Sequence, residues 1–241
     1  MFTLHIAITR PSVDAIKADL TKNLSEVKSS HRCEAMARAF GFRTYASILA
    51  ATADGADAGR RKADGQLFAG YLVERGFAVD TSIFHRAVGR IALSEIMARE
   101  PQLNTGGIGA GDRRRVNGLP ETVDDRQRRV EDRRADFMSD YGVEEFLRAL
   151  VFVKRVKLIK RIDRQAYSYE LKHLAEKAMC TYPEGQQLGP HYVSNGALIA
   201  AAIYAGFTHR QIDAGARTPS LNANFNMSPR SIRELRAELR P

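Results

Sequence analysis

The run GALIAAAIYAGF, Gly196 to Phe207, is the hardest constraint in this chain. It carries no charge and almost no polar group. A helix of this length is too short to span a bilayer. A helix that is apolar all round must be buried all round. The run therefore predicts a central core helix over about 195–205. Ahead of it lies CTYPEGQQLGPHYVS, an irregular stretch rich in Pro, Gly and Gln. Ser194 and Asn195 are suited to cap the orphan amides at the helix start. Tyr182, Pro183, Pro190 and Tyr192 stiffen the approach. Two roles stay open for this loop: a rigid lid over one end of the core helix, or an ordered surface displayed for a partner.

The same helix ends in Ala205-Gly206-Phe207, and the pattern occurs twice more, at Phe40-Gly41-Phe42 and Arg75-Gly76-Phe77. Glycine in the left-handed conformation followed by an apolar residue is a C-terminal helix cap. Three helix ends are thus fixed. Other helices are predicted at about 13–27 with Ser12 as cap, 31–40, 44–53, 64–75, 82–99 and 169–179. The last helix starts at Ser228-Pro229, a good cap with proline at the first position. Apolar residues at spacings of three and four from Val143 through Phe146, Leu147, Leu150, Val153, Val156 and Ile159 predict a long helix from about Val143 to Ile162. A short strand is predicted over Phe2–Thr9, and an extended piece over Asn224–Met227. Residues 104–136 open with glycines, pass Asn117-Gly118 and then carry dense mixed charge, which reads as loop or hairpin followed by a solvated helix or flexible connector. The expected fold is mainly α, an α+β chain with one or two short strands. It divides into a helical N-terminal region (1–103), a charged connector (104–136) and a compact C-terminal helical domain (137–241).

The 241 residues carry a net charge of +9, with a pI near 9.8. That favours an anionic partner, nucleic acid or a nucleoprotein complex. The excess is not in one tail: Lys and Arg outnumber Asp and Glu by 14 to 11 over 1–103, 8 to 7 over 104–136 and 15 to 10 over 137–241. A basic face must therefore be assembled by folding. Its candidate members are Lys154, Arg155, Lys157, Lys160, Arg161 and Arg164 in one run, with Arg230, Arg233 and Arg236 (and Arg240) in the last helix. On the predicted long helix, 154, 157 and 161 share a face that suits phosphate contacts; a helix C-terminus also attracts cations on its own account. The last helix could follow helix 195–205 as a helix-turn-helix, but some twenty residues separate them, far beyond the usual turn. HRCEAMARAFGFRTYASILA, 31–50, has better spacing, yet its second helix offers almost no side chain for base edges.

Cys33 and Cys180 are isolated, which is a reducing-compartment pattern. No signal peptide is recognisable at the N-terminus, so a cytoplasmic protein with no membrane partner is expected. GGIGAG at 106–111 lacks the spacing of a dinucleotide or phosphate loop, and no cofactor motif appears. The one cluster with chemistry is Glu170, His173 and Glu176 at helical spacing, with His191 downstream. Such residues ligate a metal or act as acid and base only if they converge.

SSHRCEAMARAFGFRTYASILA resembles the short helical segment called the glyoxalase-related domain, although no metal constellation here goes with that name. The stretches SYELKHLAE, CTYPEG, LGPHYVSNGALIAAAIYAGF and NANFNMS are similar to uncharacterised proteins of plasmids, integrative elements and phages. That resemblance implies an accessory role in a mobile genetic element: DNA maintenance, regulation or evasion of host defence. The leading expectation is a non-enzymatic protein that binds a nucleoprotein or nucleic acid, for example inhibiting a host defence complex such as a CRISPR effector. The alternatives are a DNA-binding regulator or plasmid-maintenance protein, and a metal-dependent enzyme using His173 and Glu176.

Overall fold

A computed structural model describes residues 2–116, 118–216 and 218–239. Asn117 of the predicted turn and Arg240 lie outside them. The fold is mixed α+β and dominated by helices. By internal contacts the chain forms two compact units. One is the chain up to Ala92 with Thr181–Gln187; the other is Leu93–Cys180 with the chain from Leu188 on.

The first unit runs β1 (His5–Ala7), α1 (Arg10–Asn23), α2 (Ser29–Ala39), α3 (Tyr45–Ala51), β2 (Arg60–Lys62) and α4 (Gly65–Val73), then enters α5 (Ser82–Arg99). β1 and β2 pair antiparallel, with Ile6 opposite Arg61. Thr9, not Ser12, is the N-cap of α1; Ser12 completes the capping box from the third helical position. Leu4, Ile6, Ile8, Val13, Ile16, Met36 and Phe68 are buried. Phe68 stacks on Phe84 with ring centroids 4.6 Å apart. Helices α2 and α3 serve this packing, and six of the eleven α2 residues are buried.

The second unit begins with two hairpins, β3 (Leu103–Asn104) with β4 (Gly107–Ile108), and β5 (Arg115–Val116) with β6 (Leu119–Pro120). Then come α6 (Val123–Phe137), α7 (Asp140–Val153), β7 (Leu158–Tyr167), α8 (Ser168–Lys177), β8 (Cys180–Thr181), β9 (Gln187–Gly189), α9 (Asn195–Tyr204), β10 (His209–Gln211), β11 (Ala223–Met227) and α10 (Pro229–Glu238). The arginines of α6 explain why the charge-dense segment is ordered. Arg126 donates to Gly111 O at 2.6 Å, Arg129 to Ala110 O at 2.7 Å and Arg134 to Leu103 O at 2.7 Å. Arg129 also grips Glu121 through both carboxylate oxygens, at 2.6 and 2.7 Å. That grip holds the Glu121 carboxyl down to about 2.

The predicted core helix is α9. It packs on α7, and Ala197 through Ala202 are all 0 % exposed. Ser194 caps it, accepting from the Ala197 amide. All three Gly-Phe stops are Schellman caps: Phe42 N–H donates to Ala37 O, Phe77 to Leu72 O and Phe207 to Ala202 O, each at 2.9–3.0 Å.

Two expectations need correction. Eleven strands in five small sheets occur among the described residues, not one or two. The predicted helix 143–162 ends at Val153, and its second half is strand β7. Apolar spacing by threes carried the helical reading through the turn at 154–157. Burial along Leu158–Tyr167 does not alternate strictly, and only Ala166 is buried, so the strand offers no period-2 signal to set against the helical reading. β7 forms the edge of an antiparallel sheet of order β10-β11-β7, with Met227 opposite Leu158 and Phe225 opposite Asp163. The two strands β10 and β11 between α9 and α10 rule out a helix-turn-helix.

Leu198→Ala should lower unfolding stability by about 2–5 kcal/mol. Gly206→Ala should cost about 1–2 kcal/mol through backbone strain alone, because Gly206 sits at φ +89° with open space around its Cβ position. Chemical denaturation of both variants checks this.

Candidate nucleic-acid interface

Folding joins the two basic segments. Lys157 N–H donates to Ser231 Oγ at 3.1 Å, and Lys157 O accepts from Ser228 N–H at 2.8 Å. Asn226 Nδ2 donates to Ile159 O at 2.9 Å. These bonds lock the start of α10 beside the start of β7. Arg164 of β7 and Arg233 and Arg236 of α10 then line one concavity of about 370 Å³, together with Gln165, Tyr167, Glu170, Pro229 and Ile232.

The nine candidate cations are not equivalent. Lys154 and Arg155 lie in the turn after α7, and Lys157 just before β7; Lys160, Arg161 and Arg164 lie on β7. The helical face expected for 154, 157 and 161 does not exist, because the helix stops at Val153. Arg155 is paired with Glu238, Arg230 with Glu234 and Arg236 with Glu170. Partial burial pulls the Lys154 ammonium below its ordinary pKa. Lys157, Lys160, Arg161, Arg164 and Arg233 are exposed. Among the described residues no ion pair engages these five, so their charge is available to an anion.

Aromatic residues continue from the concavity. Tyr167 lies 6.5 Å from Tyr169 between ring centroids. Tyr169 meets His173 edge-on at 4.8 Å. The ammonium of Lys172 lies 5.2 Å from the Tyr169 ring centroid and 5.0 Å from that of Tyr192. Arg148 stands 5.7 Å from the Tyr141 ring centroid. Buried Arg148 also answers the question of the irregular loop: it donates to Leu188 O at 2.7 Å and Tyr192 O at 3.2 Å, fixing the approach to α9. Charged and aromatic side chains therefore interleave across the unit.

The sequence constellation Glu170, His173, Glu176 and His191 comes together only in part. His173 Nδ1 is 2.8 Å from Glu176 Oε2. Glu170 turns to Arg236 at 2.9 Å, and His191 is exposed. Among the described residues no group of three or more His, Cys, Asp or Glu is placed to hold a metal ion. Glu176 instead serves buried Lys172, 2.9 Å away. Burial pushes the Glu176 carboxyl up, but the hydrogen bonds from Lys172 and His173 outweigh it and leave the pKa below its ordinary value. Burial also pushes the Cys180 thiol up, which suits a structural thiol.

One buried pair had no signal in the sequence. In the first unit, His85 Nε2 lies 2.7 Å from Glu184 Oε2, which also accepts from Thr81 Oγ1 at 3.1 Å. Gln186 Nε2 donates to the same Thr81 hydroxyl at 2.8 Å. Glycine at 65 leaves room for the pair: a Cβ there would lie 2.2 Å from Glu184 Oε1 and 2.6 Å from His85 Nε2, and the two side chains would have to shift. A separation of 99 residues between His85 and Glu184 leaves no local pattern to read. Residues 181–187, the hairpin tip before the core helix, are thus anchored within this unit.

No family model, curated protein or solved structure matches the chain. Among the described residues no helix is long and apolar enough to cross a membrane.

Glu176→Gln leaves the Lys172 ammonium buried without its counter-charge and should cost about 3–5 kcal/mol. Because the Glu176 pKa is lowered by folding, its contribution is complete above the ordinary carboxylate value and is lost as pH falls through the folded value. Melting curves of wild type and variant should therefore converge on acidification.

Proposed function

We propose that this protein binds nucleic acid through the face formed by β7 and α10, as a non-enzymatic accessory protein of a mobile genetic element. The observation that carries the reading is the convergence of Arg164 with Arg233 and Arg236 on one concavity, beside Lys157, Lys160 and Arg161. Cations fixed on a strand and a helix can neutralise successive phosphates, and such contacts position a backbone without reading sequence. Neighbouring tyrosines suit stacking. In this reading the compact C-terminal helical part, residues 137–241, carries the binding face. The mobile-element setting rests on the sequence resemblance. In that setting the target is DNA under maintenance or a host defence nucleoprotein such as a CRISPR effector.

Lys160→Glu, Arg164→Glu and Arg233→Glu together should abolish binding of a labelled oligonucleotide, read by fluorescence anisotropy, without moving the melting temperature. In single and double variants, each phosphate left without its cation should flatten the slope of log K against log salt by about 0.7 for single strands and about 0.9 for duplex. Full-strength binding by the folded triple variant would sink the reading. Recovery of one protein complex from host lysate after nuclease treatment, undiminished by the triple change, would point to protein-directed binding by another surface.

A further inference from the structure

A second concavity of the same unit, about 440 Å³, is lined by residues that include Gly106, Arg133, Asp136, Tyr141, Glu145 and Tyr192. Glu145 is 3 % exposed, and its Oε2 accepts from the Ser194 amide at 2.9 Å. Arg133 Nη1 is buried and has no hydrogen-bond partner among the described residues. Gly106 makes room for it: a Cβ there would lie 2.8 Å from that nitrogen. A buried donor without an acceptor is costly, so a site built around one favours an incoming acceptor. Tyr141 and Tyr192 also line this concavity and are 55 % and 53 % exposed. Each is attended by a cation, Arg148 and Lys172 respectively.

The lining selects its ligand. A cation would meet Arg133, with Arg148 and Lys172 close behind the tyrosines. An anion would meet Glu145 and Asp136. A neutral, flat heterocycle whose edge carries both donors and acceptors satisfies Glu145 and Arg133 together and offers its faces to the tyrosines. The volume is in the range of small-molecule sites. Burial pushes the Glu145 carboxyl up, against the hydrogen bonds from Ser194 and the charge of Arg148 and Lys172. That is a setting common at functional sites.

We propose that the Glu145–Arg133 pocket takes one unstacked nucleobase, held at its edge by these two residues and stacked on Tyr192. This rests on the nucleic-acid reading and deepens it by naming the substrate class, a single strand or an extruded nucleotide, since a base inside a duplex cannot enter. Its test avoids phosphate, so that the two claims fail separately. Saturation-transfer NMR on the full chain with guanosine, adenosine, cytidine and uridine should show at least one nucleoside bound at millimolar concentration. Tyr192→Ala, a half-exposed site with little risk to folding, should weaken it about 10-fold or more, the size of one aromatic–base stack. Glu145→Gln, which keeps the shape and the Ser194 contact, should weaken it as well. The triple charge reversal on β7 and α10 should leave nucleoside binding unchanged. No binding by any nucleoside, or binding unaffected by both pocket variants, overturns the pocket even if oligonucleotide binding stands. Nucleoside binding without oligonucleotide binding overturns the phosphate face and keeps the pocket.

Discussion

The second unit depends on how closely two backbones meet at the start of α9. A Cβ on Gly196 would lie 1.8 Å from the carbonyl oxygen of Asn104, so no other residue fits without moving the chain. The contact is bonded as well as tight. Gly196 N–H donates to Thr105 O at 3.0 Å, and the Asn195 side chain donates to Gly106 O and to Leu221 O at 3.1 and 3.2 Å. Asn104 in turn holds its own hairpin, donating to Gly109 O at 2.8 Å. One helix terminus thereby gathers the β3–β4 hairpin, the segment leading into β11 and the helix that fills the core. With that end fixed, the walls of the Glu145 pocket follow, because Ser194, Thr105 and Gly106 are part of its lining.

Much of this was legible one element at a time. The Gly-Phe stops carry their geometry in two residues, since a left-handed glycine and a following amide suffice for a Schellman cap. The burial of Gly196 through Ala202 follows from composition alone, while Ile203 to Ala205 at the end of the helix are only partly buried, and α5 and the Ser228-Pro229 start are read directly. The failure at 154–162 has a specific cause. Val153, Val156 and Ile159 keep a spacing of three across a turn, and periodicity over so few residues does not tell a helix from a turn entering a strand. The β-branched residues of that run were the contrary signal.

The candidate sites were the less legible part, for a different reason. The sequence marked both basic clusters, but nothing local says that residues near 160 and near 233 share a wall. That juxtaposition is made by β11 pairing with β7. Arg133 and Glu145 lie twelve positions apart on two helices and look like ordinary surface charges. His85 and Glu184 are farther apart still. Conversely, the helical spacing of Glu170, His173 and Glu176 was real, yet Glu170 faces α10 and Glu176 serves Lys172. Spacing on one helix establishes neighbours, and only packing decides which of them share a partner.

The position of β7 has a consequence for the free protein as well. It is ten residues long and stands at the edge of its sheet. A strand edge of that length is a template for pairing with another copy of the chain, and natural edges are blunted by charge and by bulges. β7 has both, with register shifts against β11 and exposed Lys160, Arg161 and Arg164 along its length. Positive charge along that edge disfavours pairing with a second copy of the same strand, whatever else these side chains bind.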